Sequence, residues 1–225
     1  MDFVISQLLA GISLGSVLLL ASLGLSLTFG QLGVINNAHG EFMMAGAYAA
    51  FVVARLIPYS GISLMVALPV GFLVGGLLGA FLQVTLISRM RLRPLDTLLA
   101  TFGVGLVLQQ LARDIFGAQP VYAATPPWLS GPIRILGVDV PATRVFIFAV
   151  AVVCVVGLYL LQQFTSLGRE IRATVENRDL AETSGISTNF VDVLTFFIGS
   201  GIAGLAGVAL SLMDAISFDF GVDMR

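Results

Sequence analysis

Two polar segments stand out because long charge-free apolar runs surround them. The first is Asn36-Asn37-Ala38-His39-Gly40-Glu41. It offers two amides, one imidazole and one carboxylate, groups that can hydrogen-bond a small polar solute. Polar side chains between apolar runs face either a bundle interior or a water-filled path. A helix that starts there also presents unpaired amides, which suit a carboxylate or carbonyl oxygen. Asn37 is a candidate cap for the helix that follows. Two readings stand side by side: Asn36, Asn37, His39 and Glu41 line a translocation path, or they only satisfy backbone groups where a helix begins. His39 is the sole histidine, so no metal site is expected.

The second segment runs from Leu167 to Gly185 and mixes arginines with carboxylates. Ile171 and Val175 are four apart, which predicts an apolar helix face. Arg172 and Glu176 have the same spacing, which predicts a paired charge on another face. Gly185 is a candidate helix stop. The segment reads either as a solvated connecting helix or as a docking helix for a partner, with Arg172, Glu176, Asp179, Ala181 and Gly185 as its candidate contacts.

The elements that must carry these segments follow from composition. Of 225 residues, 57% are apolar and 11% are charged, against roughly 25% charged in a soluble domain. All 11 basic residues are arginine. A soluble enzyme, a disordered chain and a nucleic-acid binder are excluded, and a P-loop, which needs a Gly-Lys-Ser/Thr ending, is absent. The charge-free stretches from Phe3 to Gly40, Leu56 to Ser88, Thr97 to Ala112, Val145 to Gly168 and Val193 to Met213 suit spans of about 20 residues.

The expected fold is an all-α polytopic membrane bundle of about six spans. These run near Phe3–Phe29, Asn37–Ala54, Ile62–Ile87 with a kink at Pro69, Leu95–Phe116, Ala142–Phe164 and Phe190–Met213. A broken or re-entrant segment is expected near residues 30–41, because Gly30 and Gly33 interrupt the first run. Arg55, Pro58 and Gly61 mark a turn. The connection from Gly117 to Pro141 holds five of the eight prolines and the only tryptophan, Trp128, and reads as a loop at the membrane interface. Cys154, the single cysteine, reads as a packing residue.

With the N-terminus outside, the inner segments carry Arg89, Arg91, Arg93, Arg169, Arg172 and Arg178, as the positive-inside rule favours. Arg55, Arg113, Arg134 and Arg144 fall outside. Small-residue spacings at Gly11/Gly15, Gly71/Gly75/Gly79 and Gly201/Gly204/Gly207 predict close helix packing.

The pattern Asp179-Leu180-Ala181-x-x-x-Gly185 has the spacing of the Glu-Ala-Ala-x-x-x-Gly loop of ABC importer permeases. The whole chain resembles the branched-chain amino acid branch of those permeases, which also includes urea and short-amide transporters. The segments that carry the likeness include Gly11 to Ser16, Gly33 to Glu41, Arg93 to Thr101, Thr125 to Gly131, Gly168 to Gly185 and Leu194 to Gly207. Arg93–Thr101 and Thr125–Gly131 lean towards the urea-like members.

The resemblance implies a bacterial inner-membrane permease with residues 166–190 as a cytoplasmic coupling loop. Its implied partners are a second permease subunit, cytoplasmic ATPase subunits, an extracytoplasmic solute-binding protein and membrane lipid. It implies no cofactor and no catalytic residues. Asp179 and Leu180 depart from the usual Glu and Ala. The family continues for further spans beyond the position of Arg225, so the chain reads as C-terminally truncated. The alternative function is a passive channel or secondary carrier for a small neutral solute. An intramembrane enzyme is disfavoured, since no nucleophile–base set is present.

Overall fold

The computed structural model describes residues 2–33, 35–57, 60–90, 93–123, 126–135 and 138–217. Val34 and Thr125 of the quoted motifs, Pro58 of the turn, Arg91 of the inner arginines and residues 218–225 lie outside them.

Helix α1 runs from Asp2 to Leu32. It passes unbroken through Gly30 and Gln31, where the sequence reading places an interruption. It stops at Leu32, and Gly33 takes φ +65°, a left-handed conformation that glycine adopts without strain. Helix α2 spans His39–Leu56 and α3 spans Ser60–Leu82. Pro69 lies within α3 without ending it; the winding changes only at Gln83–Ile87, a π-helical turn leading into the short α4, Ser88–Met90. Helix α5 covers Pro94–Phe116, with proline in its first turn where a missing N–H leaves no bond unmade.

The connection that follows holds a 3-10 turn at Pro127–Leu129 and an antiparallel hairpin of β1, Pro132–Ile135, with β2, Val138–Pro141. The all-α bundle thus carries one small hairpin. Helices α6 (Ala142–Phe164), α7 (Ser166–Glu176), α8 (Arg178–Thr183) and α9 (Thr188–Leu210) complete the order.

Five stretches are long and apolar enough to cross a membrane: Gln7–Leu32, Gly61–Met90, Leu95–Phe116, Ala142–Phe164 and Thr188–Leu210. The remaining expected span, α2, is helical but has 18 residues, with His39 and Glu41 in its first turn and Arg55 in its last. Its length is about 27 Å, and its polar ends keep it from matching the other five.

Helix α9 is the hub, packed by α1, α2 and α3. Nearly every residue from Gly199 to Leu210 is buried. Backbones meet there: a Cβ on Gly46 would fall on the Gly204 carbonyl oxygen, and one on Gly204 would fall on that of Gly71. In lipid, apolar side chains gain little by leaving the solvent, so such close approach supplies the packing energy. Gly11 and Gly15 do not take part, since a Cβ on either would meet open space. The outward faces of α5 and α6 are apolar, with Leu99, Ile115, Val153 and Phe164 among their exposed side chains.

The contacts also sort the arginines by end. Gln31, at the end of α1, bonds Asp192 in the first turns of α9. Gly79 meets Ser200 and Gly71 meets Val208, so α3 runs antiparallel to α9. Arg89 and Arg93 therefore share an end with Arg169, Arg172 and Arg178. Ala50 and Val53 of α2 cluster with Leu129 and Ala142 at the other end, where Arg55 lies over the Phe51 ring at 4.8 Å. Trp128 packs edge-to-face on Phe146, with ring centroids 5.8 Å apart. Cys154 is a free thiol packed against the main core.

Candidate functional site

Helix α2 starts deep in the bundle. His39 Nε2 donates to the Ala21 carbonyl at 3.0 Å, well back from the α1 terminus at Leu32. Gly24, about one turn from Ala21, lies against Gly199 near the middle of α9. After descending with α1, the chain therefore returns to mid-bundle as irregular backbone at residues 35–38. Backbone of this kind survives at membrane depth only where protein groups or a polar cavity satisfy it.

The four expected residues satisfy it in different ways. Asn36 is 2% exposed, and its Oδ1 accepts from the Ala38 amide at 3.0 Å, folding the approach into an Asx turn. Asn37 is not the helix cap: Ala38 holds that position, with φ −80° and ψ 4° and no side-chain bond. The Asn37 amide instead donates to Thr101 Oγ1 at 3.2 Å. Asn36 thus shapes the approach to α2 through the Ala38 amide, and no side chain caps the helix itself. With Nε2 donating, the neutral His39 ring presents Nδ1 as an acceptor, and that atom has no hydrogen-bond partner. Glu41 is fully buried and its Oε1 accepts from Gln109 Nε2 at 3.0 Å.

Asn36, Asn37 and His39 line one cavity of about 450 Å³ between the irregular residues and α1, with Ala21, Ser22 and Gly40. Glu41 is not in its wall and faces α5. Asn36 Nδ2 is a second buried polar atom without a partner. The cavity wall therefore offers one donor and one acceptor from side chains that are otherwise held in place.

Thr101 and Gln109 anchor this site from α5 and are absent from the expected residues. Their signal is legible: Thr97, Thr101 and Gln109 recur at multiples of four along a charge-free span, which puts them on one face. Thr97 and Thr101 are both fully buried.

The second segment is two helices rather than one. Asn177 interrupts it with φ −155° and ψ 104°, and its Oδ1 caps α8 by accepting from the Leu180 amide at 3.0 Å. Gly185 is the expected stop, with φ +87°. The Ile186 amide donates to Ala181 O and the Gly185 amide to Glu182 O, both at 3.0 Å, which is a Schellman closure.

Asp179 and Gly185 are exposed, but Ala181 is buried against the bundle and is not an outward contact. The expected apolar face is divided: Ile171 is buried and Val175 is exposed. Among the described residues no ion pair joins Arg172 to Glu176. Arg172 donates to the Gln162 carbonyl at the end of α6. Such a carbonyl has no intrahelical donor, and it outcompetes a solvent-exposed pair of small net value. Arg172 and Glu176 nonetheless share the lining of a groove of about 520 Å³ with Ser26, Gln31 and Tyr159. Leu180, 63% exposed on α8, was not among the expected contacts.

A group of three or more metal-ligating side chains is absent among the described residues. The model of the branched-chain amino acid transport system permease component matches residues 7–224. LivH of Escherichia coli K12, a high-affinity branched-chain amino acid transport system permease protein, is 29% identical over 92% of this chain and 70% of its own length. The Salmonella typhimurium LivH is 28% identical with the same coverage. BraD of Pseudomonas aeruginosa, of the same description, is 28% identical over 92% of this chain and 71% of its own. No solved structure matches the chain significantly. With its apolar helices and a match that runs nearly end to end, this multi-pass membrane protein belongs to the branched-chain amino acid transport system permease family.

Proposed function

We propose that the chain is the membrane-spanning permease subunit of an ATP-driven importer in the bacterial inner membrane, and that its solutes are branched-chain amino acids. The observation that carries this reading is the family match over residues 7–224, which takes in both polar segments. Residues 1–225 form one permease domain, with 166–190 as its cytoplasmic coupling loop. Asn36, Asn37 and His39 line the translocation path, and Glu41 holds α5 against it. The donor on Asn36 and the acceptor on His39 complement the carboxylate and ammonium groups of an amino acid. Urea or a short amide meets the same two groups with its carbonyl and N–H.

ATP hydrolysis belongs to cytoplasmic partner subunits, and solute selection to an extracytoplasmic binding protein. A second permease subunit completes the path. The exposed α8 turn, with Asp179, Leu180 and Gly185 outward, is the docking surface for the ATPases. Closure of the ATPases would pull this turn and rock the bundle between outward and inward access.

The test is deletion of Asp179–Gly185 in the complete transporter. ATP-dependent uptake and co-purification of the ATPases should both be lost. Uptake that persists, or that survives ATP depletion in the unaltered protein, would favour a passive channel or carrier.

A further inference from the structure

Between the exposed α8 turn and the irregular residues before α2 lies a run of polar contacts with no part in docking or in the cavity wall. Arg178, the first residue of α8, places Nη2 3.0 Å from Asp192 Oδ2 and 2.6 Å from Thr188 Oγ1. Its Nε is 3.3 Å from Glu182 Oε1, and Thr188 Oγ1 donates to that same oxygen at 2.5 Å. Asp192 is fully buried, and its other oxygen, Oδ1, accepts from Gln31 Nε2 at 3.1 Å. Gln31 is itself buried in the last turn of α1. The chain reverses just beyond it, at Gly33, towards the irregular residues 35–38.

One carboxylate therefore ties three elements together: α8 through Arg178, α9 through its own backbone, and the end of α1 through Gln31. A buried carboxylate cannot shed a charged partner without a large desolvation penalty. If α8 moves, Asp192 and Gln31 must follow or lose that pairing.

We propose that Asp192 is a positioning residue for transport, transmitting displacement of α8 through Gln31 to the end of α1 and so to the wall of the Asn36–His39 cavity. This rests on the reading of α8 as the docking turn. A buried ion pair that only staples the fold is the competing role, and substrate moved per ATP hydrolysed separates the two.

The experiment uses the complete transporter in liposomes, with its ATPase subunits and binding protein. Uptake and ATP hydrolysis are measured per assembled complex. Asp192→Asn should keep the ATPases bound and hydrolysis close to unchanged, while uptake per ATP falls about tenfold. Adding Arg178→Gln to Asp192→Asn should not recover that loss, because the link from α8 to Asp192 stays cut; recovery of uptake per ATP would mean that the ion pair only staples the fold and would overturn the relay. Gln31→Met preserves the Arg178–Asp192 pair and the side-chain volume but cuts the link to α1, and should lower the ratio about threefold. Unchanged uptake per ATP in Gln31→Met overturns the proposal, including the case where Asp192→Asn fails to accumulate. Leu180→Arg, on the exposed side of α8, reads the docking separately: ATPases that remain bound there overturn the docking role of α8 but leave the Gln31→Met ratio as the measure of the relay.

Discussion

The two polar segments contain similar residue types but are held in opposite ways. From Asn36 to Glu41 every residue except Asn37 is buried, and the partners come from other helices: Ala21 on α1, Thr101 and Gln109 on α5. From Asp179 to Gly185 only Ala181 is buried, and the shape is set locally by the Asn177 cap and the Gly185 closure. Without water, a buried polar segment must be satisfied by neighbouring protein, so its integrity is that of the bundle. An exposed turn can be satisfied by its own backbone and by solvent. Damage to the first should therefore lower stability and transport together, whereas damage to the second should spare the fold and weaken only assembly with a partner.

The largest expected effect is at Gly46, where α2 crosses α9. A Cβ there would fall on the Gly204 carbonyl oxygen, and neither backbone can yield without separating the helices. Gly46→Val should cost about 3 kcal/mol or more. Folded protein recovered in detergent should fall sharply, as read by size-exclusion yield and thermal unfolding. A variant as stable as the parent would show that the buried segment does not depend on this approach.

A smaller and more local break is Thr101→Val, which keeps the shape of the side chain but removes the acceptor for the Asn37 amide. Leaving that donor without a partner should cost about 1–2 kcal/mol. Uptake should fall with it, because Asn37 lines the cavity, and Thr101→Ser should restore both. Unchanged unfolding and uptake would mean that α5 does not hold the irregular residues.

Much of this contrast was legible in the sequence. Length and apolarity placed α1, α3, α5, α6 and α9, and the polarity of Asn36–Glu41 marked the irregular segment. The central position of α9 was legible only through its glycines, since lipid-facing and helix-facing surfaces are both apolar. The same spacing at Gly11 and Gly15 leads to no contact, so spacing alone does not reveal a neighbour. Partners distant along the chain were hidden for a related reason. Nothing around Asp192 in sequence indicates that its carboxylate meets Arg178 and Gln31, and the spacing of Arg172 and Glu176 pointed to a pair that an open carbonyl on α6 displaces. Local rules anticipate caps and stops such as Gly185. They do not anticipate which orphaned group a long side chain will find.

Gly185 provides the smallest effect and the sharpest test of the contrast. Its φ of +87° suits glycine, and a side chain there carries strain of about 1–2 kcal/mol. A Cβ would meet no other atom, so the strain has no packing component and stays within the α8 turn. Gly185→Ala should leave thermal unfolding of the permease nearly unchanged, because α8 contributes little to the core around α9. It should weaken titrated binding of the ATPase subunits by about fivefold to thirtyfold, the equivalent of that strain. Gly185→Asn should lose less, since asparagine tolerates the left-handed region better than alanine. If Gly185→Ala lowered the unfolding temperature as much as Thr101→Val, the exposed turn would be part of the bundle's own stability, and the division between the two segments would fail.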